Sequence, residues 1–198
     1  MKKSLYCLSF LTLFSCSTKE KSTQSGATDT GRAATETASG QLSGEGTMKS
    51  GSTNQVPANA GKWQYDRTTD RTNNPVYKAS IISSNLLEFP FPYEGGSSAT
   101  LTIRKRSSGT NVYLEVSKGQ FNRSFQGGNA RIRFDNKPAI PYAFSAAENG
   151  RANIIFFDSE QKLINQLKTA KETVIDVGFD GQGAREIKFR TAGLNWAH

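Results

Sequence analysis

Few residues in this chain are equipped for nucleophilic or metal chemistry. Its only cysteines are Cys7 and Cys16, and its only histidine is His198, the last of 198 residues. Serine–histidine and cysteine–histidine catalysis and zinc sites need imidazole or thiolate groups held firmly by partners, and a terminal histidine is expected to be mobile. Carboxylates remain: Asp158, Glu160, Glu172, Asp176 and Asp180 cluster in one stretch. Two of them sharing a cleft could hydrolyse a glycosidic bond, but nothing in their spacing brings a pair together, and Asp158 reads better as a helix cap. Gly178-Phe179-Asp180-Gly181-Gln182-Gly183 lacks the lysine and the following helix of a phosphate loop; a strand turn explains it. The expectation is therefore no catalytic residue, no metal ligand and no cofactor.

Binding chemistry is better represented. Arg131, Arg133 and Asp135 alternate, so on a strand they share one face. Arginine forks bind anionic groups bidentately, which makes the three a candidate ligand-binding set; the same residues could equally form a solvated, self-paired surface. Arg104-Lys105-Arg106, with Lys118 and Arg123, could form a basic patch near Tyr113 and Phe121, suited to stacking on bases or sugars. Charged strands also discourage sheet aggregation. The chain has 25 Lys and Arg against 17 Asp and Glu, and loss of Lys2 and Lys3 would leave 23 − 17 = +6. Such a surface could meet anionic glycan, lipid or nucleic acid, or simply keep the protein soluble.

The positioning elements begin with an address. Met1-Lys2-Lys3 is a short positive segment, and Leu5 to Phe14 is a mostly apolar run without charge, of signal-peptide length and too short to span a bilayer. It ends in Leu13-Phe14-Ser15-Cys16, which resembles the lipobox of bacterial lipoproteins. Phe14 departs from that pattern, since a smaller residue is usual there. The resemblance implies a signal peptide over 1–15, cleavage before Cys16, and acylation (a palmitate-type anchor) of its thiol. Each buried methylene contributes roughly 0.8 kcal/mol, and more than one acyl chain makes a stable anchor. The expected place is the cell envelope, lipid-anchored to the outer membrane rather than the inner, with the domain in the periplasm or at the cell surface. Nucleic acid is not an expected partner there; an envelope protein or a cell-wall component is.

Hydrophobic residues make up 35% of the chain and mean hydropathy is −0.55, but the deficit is local. Residues 17–60 are Ser, Thr, Gly, Ala, Lys, Glu and Gln, with Leu42, Met48 and Val56 the sizeable apolar exceptions. Such composition does not offset chain entropy, so 16–60 is expected to be a lipidated cysteine followed by a disordered linker. Random-coil scaling of roughly 5–6 Å × √n gives it a reach of about 35–40 Å.

From Lys62-Trp63-Gln64-Tyr65 onward aromatic and β-branched residues dominate, so 61–198 is expected to be one β-rich globular domain. Leu101 and Ile103, Val112 to Val116, Ile132 and Phe134, Ile175 to Phe179, and Ile187 and Phe189 all alternate with polar residues. Asn153 to Phe157 is a continuous apolar run, suited to a strand buried on both faces. Gly-rich and Asn/Asp-rich turns separate these segments. One helix follows Asp158, with Gln161 completing a capping box and Leu163, Ile164, Leu167 and Ala170 on one apolar face. The expected class is mainly β, an antiparallel sheet or β-sandwich with one packed α-helix.

Residues 130–196 also resemble a family of periplasmic proteins associated with type VI secretion. The likeness rests on Arg131-Ile132-Arg133-Phe134-Asp135, Ile154 to Phe157, the helix with Leu163 and Leu167, and Phe189-Arg190-Thr191-Ala192-Gly193-Leu194. That family tends to carry cysteine in its domain, whereas this chain has none past Cys16. The resemblance implies an accessory envelope role without catalysis. Taken together the residues favour a non-enzymatic binding or assembly module; the alternative is an enzyme acting on cell-wall glycan, or an inhibitor of one. Cys16→Ser is expected to leave the protein unprocessed or to release it from the membrane fraction. Normal processing with membrane retention would refute the lipobox assignment.

Overall fold

Alternating apolar residues need a surface to turn towards, and here one long sheet curls so that its own inner face supplies it. The computed structural model describes residues 55–198; the signal-like stretch, Cys16 and the linker up to residue 54 lie outside the described residues. Nine strands form the sheet: β1 (Gln64–Thr69), β2 (Pro75–Ile82), β3 (Ala99–Arg106), β4 (Gly109–Val116), β5 (Gly128–Phe134), β6 (Ile140–Ala146), β7 (Ile154–Phe157), β8 (Thr173–Phe179) and β9 (Gly183–Phe189). One helix, α1 (Glu160–Thr169), separates β7 from β8. The strand order is β1-β2-β3-β4-β7-β6-β5-β8-β9, and every pairing is antiparallel. The architecture is mainly β and sandwich-like, as the alternation requires.

Register follows the same logic. Ile81, Leu101 and Leu114 stand side by side on neighbouring strands, as do Ala79, Ile103 and Val112, and all are buried. Across the other half, Ile132, Ile175 and Ile187 form a matching inner row. The aromatic residues Phe121, Phe134, Tyr142, Phe157, Phe179 and Phe189 fill the space between. The segment after β2 then seals one free edge. The Ser84 N–H donates to the Lys188 carbonyl at 2.7 Å, the Lys188 N–H to Asn85 Oδ1 at 2.8 Å, and Asn85 Nδ2 to the Glu186 carbonyl at 3.0 Å. The backbone groups of β9 are thereby satisfied instead of being offered to another chain.

Gly128 shows how closely the strands approach: a Cβ there would sit 2.7 Å from the Phe144 ring, so no larger residue fits without displacing it.

The helix buries Leu163, Ile164 and Leu167 and packs against β4, and Ala170 follows it as a buried C-cap. Its start differs from the expected capping box. Ser159 occupies the N-cap position without a side-chain cap bond. Asp158 lies too close to β6 to reach the helix: its N–H donates to the Ala143 carbonyl at 3.1 Å, and its carboxylate accepts from the Ser145 hydroxyl. Gln161 turns along the helix to Asn165 instead of back to the cap.

The C-terminus departs from expectation too. Trp196 is buried, and His198 stacks on Tyr77 at 3.9 Å between centroids while meeting Trp196 edge-on at 5.2 Å. Stacking holds a residue that chain position alone would leave loose.

Candidate functional site

Arg131 and Arg133 stand two apart on β5, whereas Asp135 is drawn away from them. Arg131 is exposed on β5, opposite Asp176 of β8, which itself stands opposite Glu186 of β9. Arg133 is half-buried opposite Val174. Asp135 falls one residue beyond the strand with a φ of 50°, in the left-handed region that aspartate and asparagine tolerate. There its Oδ1 accepts the backbone N–H groups of Lys171 (2.8 Å) and Glu172 (2.9 Å), and its own N–H donates to the Glu172 carbonyl. Asp135 thus pins the link between α1 and β8 to the end of β5.

The basic stretch is likewise divided. Arg104 and Arg106 lie on the outer face, where they line a groove. Lys105 pairs with Tyr77 on the opposite face. Lys118 and Arg123 sit in the loop between β4 and β5, and Phe121 is buried in the core and unable to stack on a ligand.

The groove has a volume of about 750 Å³. Its floor comes from outward positions of β4 and β7: Tyr113 and Phe156 are cross-strand neighbours, with ring centroids 5.3 Å apart and planes tilted by 36°, and Ile154 continues the apolar strip. Phe156 is only half-buried. The apolar run in β7 was expected to be covered on both faces; Ile155 and Phe157 are covered inside and Ile154 is buried on the outer face, and only Phe156 is left half-buried beside this groove. Arg104 lies 5.2 Å from the Tyr113 centroid and donates to Asn111 Oδ1 at 3.2 Å. Burial, then the neighbouring Arg106, lowers the pKa of its guanidinium from the ordinary arginine value, and Tyr113 opposes them. Its Nε is buried without a hydrogen-bond partner among the described residues. Glu115 is paired with Arg151 on the rim. The lining cations Arg104, Arg106 and Arg151 meet the anions Glu115, Glu148, Asp158 and Glu160, so the formal sum is 3 − 4 = −1. None of those carboxylates is on a buried residue, and no group of three His, Cys, Asp or Glu able to hold a metal occurs among the described residues.

A second surface lies at one end of the sheet. Antiparallel order brings together the loops 83–98, 117–127, 147–153 and 180–182. Their roots are packed firmly: Phe89 lies 4.9 Å from Phe179, Phe179 lies 4.9 Å from Phe121, and Lys118 Nζ donates to the Glu94 carbonyl at 2.7 Å. Two residues on from Phe89 (5% exposed) stands Phe91, 80% exposed; four on from Phe121 (1%) stands Phe125, 67% exposed. Nothing in the local sequence distinguishes the outward phenylalanines from the inward ones.

The Glu172 N–H foremost holds the Asp135 carboxyl below the ordinary aspartate value; desolvation opposes it, and the Lys171 N–H and the charges of Lys137 and Lys171 add to the lowering. A group whose pKa is lowered on folding stabilises the fold above its unfolded value of about 3.9, and that stabilisation disappears as pH falls through the folded value. Asp135→Asn keeps a residue tolerant of positive φ but removes the charge. It is expected to lower the Tm at pH 7 and to make little difference near pH 2, read by thermal melts across that range. A Tm unchanged at pH 7 would refute the clamp.

No family model matches the chain, and neither a curated protein nor a solved structure does.

Proposed function

We propose that this chain is a lipid-anchored envelope protein, held through Cys16, whose folded region is a non-enzymatic binding or assembly module that docks another envelope protein through its loop end. An accessory place in a secretion assembly would be one form of that role.

The observation that carries the reading is the pair of exposed phenylalanines, Phe91 and Phe125, on loops whose roots are fixed in the core. Large aromatic side chains left in water and held on rigid supports are what interface hot spots are made of, and prior ordering lowers the entropy lost on binding. Burying one such side chain contributes about 1.5–3 kcal/mol. Charge favours a protein over an anionic lipid surface: the four loops carry Lys118, Arg123 and Arg151 against Glu88, Glu94, Glu148 and Asp180, 3 − 4 = −1. A polar, charge-balanced rim around apolar centres is the anatomy of a protein interface, whereas attraction to acidic headgroups needs an excess of cations.

The test is co-purification of envelope proteins with the full-length, detergent-solubilised protein. Phe91→Ser combined with Phe125→Ser should reduce the recovered partner by about tenfold or more while leaving the Tm within a few degrees. Undiminished recovery would refute docking at this end.

A further inference from the structure

We infer that the groove over β3, β4 and β7 is a second binding site, which borders the loop end through the 147–153 loop but does not include Phe91 or Phe125, and that its ligand is a largely uncharged glycan segment. The first reason is β7 itself. Phe156 stands half-buried on its outer face and borders the groove, with the buried Ile154 beside it. Apolar surface kept open beside convergent polar groups is the usual composition of a ligand site.

The second reason is the shape of the apolar part. Tyr113 and Phe156, 5.3 Å apart and tilted by 36°, both contribute to the groove wall. Aromatic faces carry partial negative charge; Arg104 already lies over the Tyr113 ring, so Phe156 is the ring on which the weakly positive C–H-bearing face of a sugar would pack. Flexible aliphatic side chains gain less from so flat a surface.

The third reason is the polar surround. Sugar hydroxyls donate and accept at once, so a site for them needs both kinds of partner. The groove offers donors from Arg106 and Arg151, acceptors from Glu115 and Asp158, and both from Asn111. A formal sum of −1 among the lining charges disfavours nucleic acid or a polyanionic polysaccharide, which would need a marked cationic excess.

The test uses the full-length protein in detergent and the N-acetylglucosamine tetramer as probe, by calorimetry. Saturable binding with a Kd at or below about 1 mM is expected, weakened at least tenfold by Phe156→Ala. Asn111→Ala, which leaves the floor intact, should also weaken it, so the idea stays testable if Phe156→Ala is unstable. The Phe91→Ser, Phe125→Ser double variant should bind the tetramer normally, which separates this site from the docking surface. No binding of the tetramer, equal binding by Phe156→Ala with an unchanged Tm, or preference for polygalacturonate or for a peptide of matched length would overturn the inference.

Discussion

Four residues carry the strand pairing between the two halves of this sheet. In the order β1-β2-β3-β4-β7-β6-β5-β8-β9, strand β7 is the sole strand link between a four-stranded group on each side. It pairs through Val112–Glu115 with β4 and through Phe144–Ala146 with β6. So short a strand lets the sheet fold over, bringing the inner faces of both halves against one core. Ile155 and Phe157 fill that core while Ile154 and Phe156 floor the groove. The chain then leaves β7 through Asp158, whose bond to Ser145 turns it back over β6 before α1 begins.

The same constraint explains what sequence reasoning reached. Alternation in β3, β4, β5, β8 and β9 was legible because one face of each is packed and the other is wet. β1 left no such trace, since all six of its residues are exposed, and β2 and β6 begin among prolines and alanines that weaken the pattern. The apolar run of β7 was visible, but its sequence does not say whether a layer covers the outer face, so the groove was not. The period-two rule correctly placed Arg131 and Arg133 on one face and failed at Asp135, where a positive φ ends the strand. The helix was legible in its apolar face and not in its cap, because Asp158 has a tertiary partner that no local motif records. Phe91 and Phe125 differ from Phe89 and Phe121 only in which way the loops turn.

The two proposed surfaces place different demands on the fold. The loop end displays single aromatic residues on supports braced by Phe179, which stacks with Phe121 and meets Phe89 at a tilt. The groove presents a strip of ring surface fixed by strand register, with charges of both signs around it. Several acidic residues have contacts within the fold: Asp135 clamps a connection, Asp158 accepts from Ser145, and Glu115 pairs with Arg151. We propose that the groove holds a ligand without turning it over.

That claim is tested most directly by incubating the full-length protein with purified peptidoglycan and examining the soluble fraction by mass spectrometry. Binding without turnover predicts no released fragments, however long the incubation. Fragments that accumulate with the wild-type protein and disappear with Asp158→Asn would contradict it and make the groove a catalytic site.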